Sequence, residues 1–386
     1  MIVEKIALKD FRNYESASID LAPGLVLLRG RNAQGKTNLL EGIYCLSGLG
    51  SPRPGEARLV REGAEKGYAH GRINRSGRAV EIDVEFRSGR GMRALLNKTP
   101  VRGARTLSEV MVAVFFGPDD LNLVKGSPDS RRRFVDELAV KLFPKNEGQR
   151  REWERVLRQR NSLLKTAPRV GDSSTLKTLE VWDDSFCRAG AGLTATRLRT
   201  LAKLFPHSSD AYDEISGGHE LNVQYDSAWV DRHVSDKALA EPATIDEEAL
   251  FLSLAEALRA VRARELERGI SLVGPQRDDV GLRLRNDDRG EWRDARLFAS
   301  QGEQRSGALA LKLGEFRLLS EILDEKPVLI LDDVLSELDS GRRRWLGQAI
   351  ASADQTIMSS AEAGPDESAA ASLILDVEAA SVTASA

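Results

Sequence analysis

Apolar residues recur along this chain with two different periods. Between Ala79 and Phe86 they alternate strictly, so Val80, Ile82, Val84 and Phe86 share one face. Ser76-Gly77 before this run and Ser88-Gly-Arg-Gly91 after it are hairpin punctuation, which predicts an antiparallel meander over 67–98 with one wet face. Ile2-Val-Glu-Lys-Ile-Ala-Leu8 reads as a further strand. Leu25-Val-Leu-Leu28 and Val328-Leu-Ile-Leu331 are unbroken apolar runs, the pattern of strands buried on both faces.

From about 128 to 270 the period becomes helical. Trp153, Val156, Leu157, Leu163 and Leu164 repeat on one face of a charged segment, and 176–205 and 247–267 are further amphipathic stretches. Strands are expected again at 270–273 and 279–284, and a helix over 301–322 leads into the run ending at Leu331. The Ala/Ser-rich tail from Ala361 holds one strand-like run, 373–377, after which fraying is expected. Heptads are not sustained anywhere, so no long coiled coil is predicted.

Charge changes this picture little. Charged residues make up 30% of the 386 and hydrophobic ones 41%, with a net charge of −3, which excludes a polybasic protein but not a local nucleic-acid patch. The two cysteines, Cys45 and Cys187, make neither a disulfide framework nor a zinc knuckle. No apolar stretch approaches a membrane span and the first residues lack a signal-peptide layout, so no membrane partner and a cytoplasmic location are expected.

Candidate chemistry begins at Gly30-Arg-Asn-Ala-Gln-Gly35-Lys36-Thr37, which fits G-x-x-x-x-G-K-[ST] between a buried strand and a helix. Glycines let the loop N–H groups face a phosphate, Lys36 reaches the β- and γ-phosphates, and the Thr37 hydroxyl ligates Mg²⁺. The helix that follows adds its N-terminal dipole. Asp332, directly after Val328–Leu331, supplies the second metal carboxylate, and Asp333 can orient or deprotonate the attacking water. Lys36 and Asp332 lie 296 residues apart, so a large insertion separates the two halves of one ATPase lobe.

Ser300-Gln-Gly-Glu-Gln-Arg305 resembles the signature motif of ABC-type ATPases, and Ser300 with Glu303 also forms a capping box opening a helix. Ser336-Glu-Leu-Asp339 resembles the D-loop of the same group. Asp10-Phe-Arg-Asn-Tyr14, the stretch from Gly117 to Asp136 and the stretch from Asp332 to Arg342 are similar to the motifs of the RecF family, which is related to SMC-type heads; the resemblance runs from residue 2 to about 360.

That resemblance implies an α/β fold: a P-loop ABC-type head, with a mixed sheet and an antiparallel meander, carrying an inserted mainly helical lobe. The expected boundaries are 1–117 and 301–386 for the ATPase lobe and 118–300 for the insertion. ATP and Mg²⁺ are the implied cofactors. Gly30, Asn32, Gly35, Lys36, Thr37, Asn38 and Arg12 would bind the nucleotide, together with Gln301, Gly302 and Asp339. Thr37 and Asp332 would hold the metal, and Lys36, Asp332, Asp333 and Ser300 would be catalytic.

Three departures stand out. Gln276 and Glu303 replace the family's usual His and Gln, and Ser359-Ser360 stands where many ABC proteins carry a switch histidine. Arg131, Arg132 and Arg133 are consecutive helical positions that cannot share a face; the resemblance suggests that some serve the nucleotide or the lobe junction.

By the same resemblance ATP joins two heads, each capping the other's nucleotide through Ser300. The homodimer clamps double-stranded DNA near single-strand gaps, assists RecR and RecO in loading RecA, and is reset by slow hydrolysis. Arg53, Arg58, Arg61 and the hairpins between Arg72 and Arg93 are the DNA candidates. The alternative is an ATP-switched scaffold head of SMC type without direct DNA contact.

Overall fold

The computed structural model describes residues 1–53, 59–87, 90–101, 104–170, 173–285, 290–335, 338–361 and 365–385. The chain forms two compact units, Met1–Leu121 with Leu309–Ala386, and Asn122–Ala308. The divisions at 121/122 and 308/309 give the first two turns of the helix Gln301–Leu323 to the second unit, rather than starting the ATPase lobe at 301.

The first unit holds two six-stranded sheets. One is built from β1 (Ile2–Phe11), β2 (Tyr14–Asp20), β4 (Lys66–Arg75), β5 (Arg78–Arg87), β6 (Arg90–Leu96) and β7 (Thr99–Val101), antiparallel in the order β2-β1-β4-β5-β6-β7. Alternation decides its faces: Ile82, Val84 and Phe86 are buried while Glu81, Asp83 and Glu85 look outward. The other sheet runs β15 (Ser381–Ala384), β14 (Leu373–Glu378), β3 (Gly24–Arg29), β13 (Gln355–Ser360), β12 (Val328–Asp332) and β8 (Ala113–Phe116). Its strands are parallel except β15, and the β12, β13 and β3 interiors are fully buried, which is why they read as unbroken apolar runs. Buried Gln355 staples the two sheets: its Oε1 accepts from Val3 N–H at 2.8 Å, and its Nε2 donates to the carbonyls of Val3 and Ala22.

The second unit is mainly helical, with helices Pro128–Leu142, Asn146–Val170, Ser173–Ser216 and Glu247–Arg268 and a three-stranded sheet, β11 (Arg293–Asp294), β10 (Asp279–Arg285) and β9 (Glu220–Asp226). Its core gathers Trp153, Val156, Phe186, Leu254, Leu258 and Val261, with the Trp153 and Phe186 rings 4.8 Å apart. Arg160 is fully buried beside this core; it donates to Asp183 and Glu265 and lies over the Phe186 ring.

Four local expectations change. The helix expected to end at 205 runs through Pro206 to Ser216. Leu204, Ala211 and Tyr212 keep its buried stripe going, and that packing outweighs the cost of a proline inside a helix, about 3 kcal/mol for the lost hydrogen bond and the ring clash together. Residues 270–273 form no strand, because the N–H groups of Ser271 and Leu272 go to the side chains of Asn161 and Glu265 instead of a ladder. β9 was not expected, although Leu221, Val223 and Tyr225 alternate and are buried. The tail does not fray after 377; it folds back as the β14–β15 hairpin on the edge of the central sheet.

A candidate nucleotide site

The phosphate loop leaves the end of β3 and enters the helix Lys36–Cys45. Gly35 has φ +114°, and a Cβ there would meet the side chains of Asn13 and Tyr14 at 3.0 Å, so only glycine fits. The Tyr14 hydroxyl donates to the Gly35 carbonyl at 3.1 Å, and burial pushes that phenol's pKa up, keeping it a donor. Lys36 Nζ donates to the carbonyls of Gly30 at 2.6 Å and Arg31 at 3.0 Å, curling the loop around its own ammonium. Burial lowers the Lys36 pKa, and the charges of Asp333 and Asp332 work against that. Asn32 sits exposed on the loop, followed by Ala33 in the left-handed region at φ +65°.

The two halves of the motif meet at β12. Thr37 Oγ1 donates to Asp332 Oδ1 at 2.9 Å. Burial raises the pKa of Asp332, while hydrogen bonds from Ser359 and Thr37 and the charge of Arg53 oppose the rise. The Thr37 hydroxyl and the Asp332 carboxylate are hard oxygen donors, the set Mg²⁺ takes when phosphate oxygens and water complete its octahedron. Among the described residues no group of three or more His, Cys, Asp or Glu could hold a metal ion.

Ser359 was missed because its position was read only as lacking a histidine. It pairs with Asp332 across the parallel ladder, donates from Oγ to Asp332 Oδ1 at 2.8 Å and accepts the Asp333 N–H at 3.0 Å. Asp333 itself has φ +50°, a left-handed conformation that this hydrogen bond helps hold.

Arg12 lies beside the loop but faces Glu41. That fully buried carboxylate accepts Arg12 at 2.8 and 2.6 Å and also bonds Arg53 and Ser51. Burial works to raise the Glu41 pKa, yet these donors win and hold it below the usual carboxylate range. Arg53 reaches on to Asn38 Oδ1 at 2.9 Å, and Asn38 Nδ2 donates to Asn13 Oδ1 at 2.7 Å. Glu41 falls on the helix that carries Thr37 one turn earlier, a spacing that could have flagged it.

Ser300, Gln301 and Gly302 belong to the second unit, at the start of the helix Gln301–Leu323. Ser300 N–H donates to Glu303 Oε2 at 2.7 Å and Glu303 N–H donates to Ser300 Oγ at 3.2 Å, so the capping box is formed. Asp339, in the first unit, caps the helix Ser340–Ser352 by accepting the Arg342 N–H at 2.9 Å. Ser336 and Glu337 of the D-loop stretch lie outside the described residues.

The three consecutive arginines all find partners inside the second unit. Arg131 is paired with Asp279 at 2.8 Å, Arg132 with Asp129 and the Asp278 carbonyl, and Arg133 with Glu137 at 2.7 Å. Gln276 donates to the Val273 carbonyl at 2.9 Å.

The DNA candidates divide in the same way. Arg53 and Arg61 are paired with Glu41 and Asp10, and Arg72, Arg75 and Arg87 with Glu4, Glu325 and Glu85. Arg78 and Arg93 are exposed and have no ion-pair partner among the described residues, and Arg58 lies outside those residues. No helix among the described residues is long and apolar enough to cross a membrane.

The sequence model of the RecF/RecN/SMC N terminal domain matches residues 2–379. The chain is 40% identical over 380 residues to the DNA replication and repair protein RecF of Beutenbergia cavernae, covering 94% of each chain. It is 41% identical over 374 residues to that of Kineococcus radiotolerans, covering 94% of this chain and 93% of the other. Among solved structures, the recombination mediator protein RecF-ATP of the RecFOR pathway superposes with a TM-score of 0.88 at 27% identity, over 100% of this chain and 97% of that one. An SMC head bound to the C-terminal winged-helix domain of ScpA shares the fold, with a TM-score of 0.54 at 14% identity over 100% of this chain and 97% of that one. Matched by that model over residues 2–379 and about 40% identical to these relatives over 94% of its length, the chain belongs to the RecF family, within the wider RecF/RecN/SMC group.

Proposed function

We propose that this protein is an ATP-switched, DNA-binding factor of recombinational repair and replication maintenance. The observation that carries the reading is the Thr37–Asp332 hydrogen bond, which assembles a phosphate loop and a metal carboxylate from opposite ends of the chain. ATP enters where Lys36 now bonds the carbonyls of Gly30 and Arg31, and the ammonium exchanges those carbonyls for β- and γ-phosphate oxygens. Thr37 and Asp332 would hold Mg²⁺, which neutralises phosphate charge when bound. Asp333 orients the attacking water, and the Ser359 hydroxyl, bonded to both aspartates, keeps them in register.

The Ser300 end of a second copy completes the site, since the positive end of a long helix's dipole favours phosphate. ATP thereby selects the dimer, as any ligand shifts an equilibrium toward the state it binds more tightly. The dimer holds double-stranded DNA near single-strand gaps, works with RecR and RecO in placing RecA, and reopens on slow hydrolysis. Among the described DNA candidates, Arg78 and Arg93 are exposed and without an ion-pair partner, and these are offered to the phosphate backbone.

The internal pairing of Arg53, Arg61, Arg72, Arg75 and Arg87 favours a second reading, an ATP-switched scaffold head without DNA contact. Gel shift on gapped against blunt duplex, with and without ATP, separates the two. Salt-sensitive, ATP-dependent retention of gapped duplex supports the first, and no retention at low salt leaves the second. Sedimentation with a non-hydrolysable ATP analogue tests the dimer, and a chain that stays monomeric at micromolar concentration refutes it.

A further inference from the structure

The two-residue turn joining β14 to β15 is Ala379-Ala380, and both residues adopt left-handed backbone at φ +46° and +61°. Tight hairpins of this kind normally use Asn or Gly, because a Cβ makes the left-handed region unfavourable for other residues. Two unfavourable residues in succession persist only where the surroundings hold them. Here the surroundings are the phosphate loop. Ala379 N–H donates to Gln34 Oε1 at 2.7 Å, and Ala380 N–H donates to the Gln34 carbonyl at 2.9 Å. Gln34 directly precedes Gly35 and Lys36.

The same hairpin touches the loop at its other end. The Val377 carbonyl occupies the space beside Gly30, where an added Cβ would lie 2.2 Å from the oxygen. Arg29, the last residue of β3, donates to Asp376 at 2.7 and 3.1 Å and to Ser385 Oγ at 3.2 Å. Contacts from 376–385 therefore bracket the loop at residues 29, 30 and 34.

We propose that the β14–β15 turn is a positioning element for nucleotide binding: its two N–H groups hold Gln34 and so set the curl of the phosphate loop before ATP arrives. A loop already in its bound shape loses less freedom on binding, and that difference appears as affinity. The C-terminal hairpin is then a control point for ATP affinity that touches no phosphate itself. This inference rests on the reading that the loop binds ATP.

Calorimetric titration of ATP into the full-length chain tests it with three variants. Ala379→Pro removes the N–H that Gln34 Oε1 accepts and cannot adopt a positive φ, so ATP binding is expected to weaken about tenfold or more. Ala379→Gly with Ala380→Gly keeps both N–H groups and suits the turn, so affinity should stay within threefold of wild type. Ser76→Pro breaks the β4–β5 turn, where Ser76 also has φ +50°; it should lower the melting temperature comparably while leaving ATP affinity within threefold. Affinity within threefold of wild type for Ala379→Pro, or an equal loss in Ser76→Pro, overturns the positioning role. Wild-type chain that takes up no ATP overturns the nucleotide reading and this inference together, an outcome distinct from failure of the variants.

Discussion

Thr37 Oγ1 donates to Asp332 Oδ1 at 2.9 Å although 295 residues separate them in sequence. Thr37 lies in the first turn of the helix that follows β3, and Asp332 closes β12 of the same sheet, with β13 between the two strands. The α/β arrangement brings strand ends to a common edge regardless of what the chain inserts between them.

Asp332→Asn keeps an oxygen for Thr37 and Ser359 to donate to, so the fold should hold. Its lost charge should abolish the dependence of ATP binding on Mg²⁺ and lower hydrolysis about 100-fold or more. Titration of ATP with and without Mg²⁺, beside a phosphate-release assay, checks both.

Ser359→Ala removes the donor to Asp332 and the acceptor for the Asp333 N–H. Turnover should drop about tenfold or more with KM little changed, since on the proposed mechanism the hydroxyl aligns Asp332 and Asp333 and not the phosphate loop. Equal losses in kcat and ATP affinity would count against that division.

Asp278 gives the second unit a pH dependence. Burial raises its pKa to about 6, although Tyr225 and Trp229 donate to it at 2.7 and 3.1 Å. A folded pKa above the unfolded one means that the native state binds the proton more tightly. This group's contribution to stability is therefore full below the unfolded value of 3.8 and is lost as pH rises through about 6. The loss amounts to about 3 kcal/mol at most. Asp278→Asn should flatten the stability difference between pH 5 and pH 7, measured by urea denaturation.

Arg160 and Glu265 are both fully buried and joined at 2.6 Å. Arg160→Met should cost about 3–5 kcal/mol, because buried Glu265 loses its ion partner and keeps only the Leu272 N–H. Adding Glu265→Leu should recover much of that loss, and denaturation of the single and double variants reads out the difference.

Much of the site was legible before any coordinates. The spacing of Gly30, Gly35, Lys36 and Thr37, the apolar run ending at Asp332 and the box of Ser300 and Glu303 are local patterns, set by neighbours within a few residues. Periodicity likewise marked the meander around Val80–Phe86 and the helices of the insertion, because burial of one face imposes a repeat on the residues that fill it.

What the tertiary structure alone decided are the partnerships between distant side chains. Arg12 was read as a nucleotide ligand and is held on Glu41, and the arginines read as DNA contacts are mostly neutralised by carboxylates of the first unit. Ser359 became visible only through its register opposite Asp332, and Gln34 through a hairpin more than 340 residues later. Hydrogen bonds and ion pairs depend on distances of about 3 Å, and a one-dimensional pattern carries no such distance between separate segments. Sequence periodicity thus determined which elements form, and motif spacing marked the proposed phosphate site, while chain folding chose which charges are spent on each other.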